Sequence, residues 1–236
     1  MFFIFHKLKM NDSIVTITTD ISIFIQIAVA LIDIVALSIN VQEKHLILKD
    51  ILALETVVQA IETCWYIFVI RNLSQDDMAK NRYYDWLFST PLMLVSIFCY
   101  LLYEEQMEFR PNDTPIRLSN VIKEYSESII RIILSNLAML SIGYLYEIGQ
   151  ISKPVAFSYG FIFLVNTFSI IYINSGSKSS KGKLVFFIMF LLWSIYGVAF
   201  LLPTVTKNSI FNIIDLFSKN FFELYIAILA YQNRII

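Results

Sequence analysis

The chain has 236 residues, of which 57% are hydrophobic, 15% aromatic and only 16% charged, and its formal net charge is −1. Soluble domains run at about 45–50% apolar and about 25% charged, so the composition argues against a water-facing globular enzyme and places the chain in a bilayer. With no basic excess there is no signal for a nucleic-acid partner.

A bilayer-spanning helix needs about 20 mostly apolar residues, and seven such runs follow one another. Met1–Phe5 is apolar but too short for a signal-peptide core followed by a cleavage site, and Met1–Ser13 is expected to be a short external extension. The first run, Thr18–Ile39, carries Ser22, Gln26 and Asp33 on one helical face. The second, Ile51–Ile70, carries Glu55, Gln59 and Glu62 at i, i+4 and i+7, again one face. Asn72-Leu73-Ser74 after it, like Asn11-Asp12-Ser13 near the start, is a weak glycosylation sequon. The third run, Tyr84–Tyr103, aligns Asp85, Ser89 and Ser96, with Arg82 just before them. A charged stretch with Pro111 and Pro115 leads to the fourth run, Ile129–Tyr146, where Arg131 is expected to snorkel to head groups. Lys153-Pro154 opens the fifth, Val155–Ile173. A polar loop from Ser175 precedes the sixth, Leu184–Leu202, which holds Trp193 and Tyr196 and is closed by Pro203. The seventh, Ile210–Tyr231, places Asn212, Asp215, Lys219 and Glu223 along one face.

The expected fold is therefore all-α: one seven-helix membrane domain over residues 1–236, with no run left over for a soluble domain. Cys64 and Cys99 lie in apolar runs and read as buried free thiols. Lysines and arginines favour the side bearing Lys44, Lys49, Arg110, Arg117, Lys123, Lys178, Lys181 and Lys183. That puts the N-terminus outside and the C-terminus in the cytoplasm.

Ionisable residues at the bilayer centre cost about 2.5–3.5 kcal/mol each on insertion scales, so each is a functional candidate. Lys219 with Asp215 could be a structural ion pair. A second carboxylate, Asp85, and the arginine beside it favour a site that moves a proton or senses charge. A desolvated lysine amine is also a good nucleophile toward an aldehyde, and the cationic product needs nearby anions. Trp193 and Tyr196 on their own would more often be core aromatics than chromophore contacts.

Three segments together resemble microbial rhodopsins: Arg82-Tyr83-Tyr84-Asp85-Trp86-Leu87-Phe88-Ser89-Thr90-Pro91-Leu92, Trp193-Ser194-Ile195-Tyr196, and Asp215-Leu216-Phe217-Ser218-Lys219. The resemblance implies all-trans retinal bound covalently to Lys219 as a protonated Schiff base, isomerising to 13-cis in light. It implies Asp85 as primary counterion and proton acceptor, Asp215 as second counterion and Arg82 as their extracellular partner. Trp86, Ser89, Thr90, Trp193, Tyr196 and Phe200 match the pocket, Phe200 replacing a common tryptophan and Gly197 a common proline. A homo-oligomer is the family expectation.

Three functions remain open at this point. Outward proton pumps of the family have a carboxylate eleven residues after the acceptor, where this chain has Ser96, and a glutamate near the outer end of the last helix, where it has Lys207. Both replacements weigh against a pump, although Glu55 or Glu223 could serve as donor. The polar stripes of the first, second and seventh runs could instead be helix-to-helix hydrogen bonds, or could enclose a hydrated path whose acidic lining favours cations. The second reading resembles the light-gated cation channels, including the viral channel-type rhodopsins, whose short chain this one shares. Its path would use Ser22, Asp33, Glu55, Gln59, Glu62, Lys207, Asn212 and Glu223 to conduct monovalent cations or protons. A sensory rhodopsin is the third possibility.

Overall fold

A computed structural model describes residues 2–176 and 179–235, with side chains from Ile14 onward. Ser177, Lys178 and the side chains of residues 1–13, the Asn11 sequon among them, lie outside the described residues.

The described residues form helices α1 (Phe2–Ser38), α2 (Leu46–Phe68), α3 (Gln75–Phe109), α4 (Leu118–Glu124), α5 (Ser126–Glu147), α6 (Lys153–Ile171), α7 (Ser180–Phe200), α8 (Thr204–Asp215) and α9 (Phe221–Gln232). Two wide π turns interrupt the pattern, Tyr172–Gly176 after α6 and Leu216–Asn220 between α8 and α9. α8, its π turn and α9 run on as one rod, so seven rods make the bundle. Six of them are long and apolar enough to cross a membrane as single helices. The seventh is the expected last run, divided where Lys219 sits. The segment expected as a separate N-terminal extension continues α1 without a break in its backbone. The charged stretch after the third run contains the short α4, which the sequence reading did not anticipate. The face expected outside from the lysine and arginine distribution is the outer side of the bundle, and the opposite face the inner side.

Local chemistry sets the helix ends. Ser74 caps α3 by accepting the Asp77 backbone N–H at 3.3 Å, and Asp76 and Asp77 add negative charge to the first turn. Ser179 caps α7 by accepting from the Gly182 N–H at 2.8 Å. Pro154 falls in the first turn of α6, where a missing N–H is harmless. The inner end of α1 is closed by Lys49, whose ammonium donates to the carbonyls of Ala36, Leu37 and Ile39. Arg117 ties the loop after α3 to α2 through two bonds to Asp50, at 2.8 and 2.9 Å.

α3 is the central rod. Its most apolar stretch is 72% buried, against 28–33% for the other five single-helix spans, whose remaining faces are available to lipid. The largest core cluster gathers Met93, Leu94, Ile97, Phe98 and Tyr100 of α3 against α2, α6, α7 and α9. Lipid-type surface is abundant elsewhere, with Phe24, Phe68 and Ile173 almost three-quarters exposed. Of the two free cysteines, Cys99 is buried as expected, but Cys64 is exposed, because its position on α2 falls opposite the polar face that turns inward.

Candidate functional site

Lys219 lies at the middle of the bundle, 2% exposed. Its ammonium faces three carboxylates: Glu62 Oε1 at 3.3 Å, Asp85 Oδ2 at 3.4 Å and Asp215 Oδ1 at 3.6 Å. They come from α2, α3 and α8, so three elements converge on one nitrogen.

Asp215 is the most firmly held of the three. It accepts from the Tyr66 hydroxyl at 2.5 Å, the Tyr196 hydroxyl at 2.6 Å and Arg82 at 3.2 Å. Arg82 is fully buried and also donates to the Tyr66 oxygen at 2.7 Å and to the Asn212 side-chain oxygen. Asn212 in turn donates to Thr18 and Thr19 of α1, both at 2.9 Å. These bonds close the outer side of the centre.

A cleft beside Lys219 is lined by Trp86, Trp193, Tyr196, Phe200, Met139 and Leu140, together with Gly143, Gly160 and Gly197. Thr90 lines it too, donating to the Trp86 carbonyl at 2.6 Å and accepting from Asn136 at 2.7 Å, which ties α3 to α5. A side chain at Gly143 would collide with Tyr83, whose hydroxyl stands 2.4 Å from the position a Cβ would take. A β-carbon at Gly160 would meet nothing within 4 Å. Ser89 stands outside this lining, its hydroxyl turned to the Asp85 carbonyl at 3.0 Å.

On the inner side, Gln59 accepts from Asn220 at 2.6 Å and donates to the Gln26 carbonyl at 2.8 Å, binding the Leu216–Asn220 π turn, α2 and α1 next to Lys219. Gln26 reaches Ser22 at 3.2 Å. Next inward, Asp33 faces Glu223 across α1 and α9, and Glu55 faces Ser96 across α2 and α3. All four are buried. Farther in, the Tyr100 hydroxyl meets Glu104 at 2.8 Å and Tyr225 at 2.7 Å, and His45 Nδ1 meets the Tyr103 hydroxyl at 2.7 Å.

The stripes on α1, α2 and the last rod thus become one buried polar column beside Lys219. Lys207 stands apart from it. Its ammonium is 2.6 Å from Glu147 on α5, and the pair is nearly buried. Removing one partner of such a pair strands a charge and costs about 3–5 kcal/mol, while replacing both with apolar groups is often neutral. Lys207→Met should therefore lower stability by about 3 kcal/mol, and Lys207→Met with Glu147→Leu should recover most of it, read by thermal denaturation in detergent.

The sequence reading missed Tyr66 and Asn220. Tyr66 is four residues after Glu62 and continues the α2 stripe, and Asn220 directly follows Lys219. Extending the stripe by one turn would have found the first. For the second there was no periodic signal, because the π turn shifts the register.

Over residues 17–233 the sequence matches the family described as bacteriorhodopsin-like protein. The chain belongs to that family. Among solved structures, the viral rhodopsin OLPVRII is 23% identical, with a TM-score of 0.77, and the match covers 92% of this chain and 98% of that one. Bromide-bound halorhodopsin from Halobacterium salinarum is 12% identical, covering 96% and 97%, with a TM-score of 0.72. Xanthorhodopsin, described as a light-driven ion pump with dual chromophore, is 17% identical, covering 94% of each chain, with a TM-score of 0.68. At these identities the likeness is one of fold. No curated protein matches the sequence.

A bacteriorhodopsin-like chain is a multi-pass membrane protein, and the family implies a retinal chromophore. The residues present fit such a group. The cleft is largely apolar, and its lining includes the Lys219 amine, two tryptophans and three glycines. Beside it Trp193 Nε1 is buried with no hydrogen-bond partner among the described residues.

Proposed function

We propose that the protein is a light-gated cation channel with retinal held covalently on Lys219. Retinal supplies a light-driven change of shape and places a positive charge on the Lys219 nitrogen. The chain's own residues do the rest. Asp85, 3.4 Å away, accepts the proton from that nitrogen. Asp215, tied by Tyr66, Tyr196 and Arg82, remains the fixed anion. The change of charge at Asp85 unbalances Arg82, which then loosens from Asn212 and releases the outer closure. The Gln59–Asn220 bond, adjacent in sequence to Lys219, breaks and joins the outer and inner halves of the column.

The observation that carries this reading is the buried column itself. Ser22, Asp33, Glu55, Gln59, Glu62, Asn212 and Glu223 line α1, α2 and the last rod on both sides of Lys219, and acidic linings favour cations. Lys207 is paired with Glu147 on α5 and lies off the path. The N-terminus is outside and the C-terminus cytoplasmic in this reading, and the protein assembles as a homo-oligomer.

An outward proton pump is the second reading. It is favoured by one observation, the buried carboxyls Asp33 and Glu223, which face each other, and Glu55, which faces Ser96; these could return a proton to Lys219 from within. Ion substitution separates the two. In a cation channel, replacing external sodium with a large organic cation shifts the photocurrent reversal potential to more negative voltage. A photocurrent indifferent to the replacement at fixed pH supports proton transport alone.

A further inference from the structure

The resemblance to microbial rhodopsins supplies two anions for the Lys219 charge, Asp85 and Asp215. Glu62 stands nearer than either, 3.3 Å from Nζ, and comes from a third helix. It is fully buried, and among the described residues neither of its oxygens has a hydrogen-bond partner, so the ion pair with Lys219 is its one polar contact of that kind there. A buried carboxylate without compensation is costly, and here only the lysine offers it.

The neighbours of Glu62 on α2 strengthen the point. One turn inward, Gln59 is bonded to Asn220, the residue after Lys219. One turn outward, Tyr66 is bonded to Asp215 and Arg82. α2 therefore touches the charged centre at three successive turns, with Glu62 in the middle.

We propose that Glu62 is a third counterion of the Lys219 charge, and the contact through which a change at that nitrogen reaches α2. This rests on retinal being held on Lys219, but not on whether the protein conducts or pumps. Asp215 is fixed by three donors and Asp85 sits on the rigid central rod. Glu62 is held by Lys219 alone, so when the nitrogen moves or loses its charge, the tie between α2 and the last rod is released at this level.

The test is the dark absorption spectrum of protein reconstituted with all-trans retinal. An anion close to the nitrogen holds the positive charge there and widens the gap to the excited state. Glu62→Gln should therefore absorb at longer wavelength than the unmodified protein. Glu62→Asp retracts the carboxylate by one methylene and should shift the maximum the same way by a smaller amount. If the glutamine variant forms no pigment, the aspartate variant decides alone. An unmoved maximum in whichever variant forms pigment overturns the proposal while leaving the retinal assignment intact. Absence of pigment in the unmodified protein overturns both.

Discussion

Replacing Lys219 with alanine abolishes the visible absorption that all-trans retinal gives the unmodified protein. The expectation rests on chemistry and place together. Lys219 contributes the one amine among the residues that line the cleft, and it is shielded from water. Burial and alignment favour attack of such an amine on an aldehyde, and three carboxylates within 3.6 Å stabilise the cation that results. The substitution also strands those carboxylates, at a cost of about 3–5 kcal/mol for a broken buried pair, so loss of colour needs a fold control. Retinal supplied together with a small alkylamine provides it, since the vacated space admits the amine and colour returns if the fold is intact. A coloured Lys219→Ala protein without added amine contradicts the assignment.

Asp85→Asn is expected to slow proton loss from the Lys219 nitrogen by about 10²-fold or more, the usual range for removing a positioned acid–base group. Asp85 Oδ2 is in hydrogen-bond contact with Nζ, whereas Asp215 is already occupied by Tyr66, Tyr196 and Arg82. The amide cannot take the proton, and the lost negative charge moves absorption to longer wavelength. Asp85 Oδ1 is buried with no partner among the described residues, so the new NH₂ brings an unsatisfied donor that costs about 1–3 kcal/mol of stability. Flash photolysis reads the rate. Unchanged kinetics would make Glu62 or Asp215 the acceptor instead.

The sequence made the bundle and the centre of the site legible for different reasons. Seven apolar runs follow from the energetics of burying backbone in lipid, which leave few other folds. Asp215 and Lys219 share a face by their spacing alone, and the Asp85 segment carries enough unusual residues to resemble a known family. What was illegible depends on how helices are rotated against one another. Glu62 was expected along an ion path, and only the packing of α2 against the last rod brings it to the Lys219 nitrogen. Lys207 sat on the right helix for the path but turns to Glu147 on α5. Ser89 shares a face with Asp85, yet its hydroxyl bonds back to the helix and leaves the cleft. The π turn at Leu216–Asn220 rotates Asn220 into the column, and no pattern of period 3.6 announces it. The Gln59–Asn220 tie was hidden for the same reason.

These contacts give the buried column its two closures around one charged nitrogen, and its conduction is what separates a channel from a pump. Whole-cell recording under light, stepped across membrane voltages with known sodium gradients, measures this directly. The expected result is a photocurrent that reverses sign with voltage, at a potential that follows the cation gradient. A photocurrent that stays outward at every voltage contradicts the channel and assigns the column to a pump.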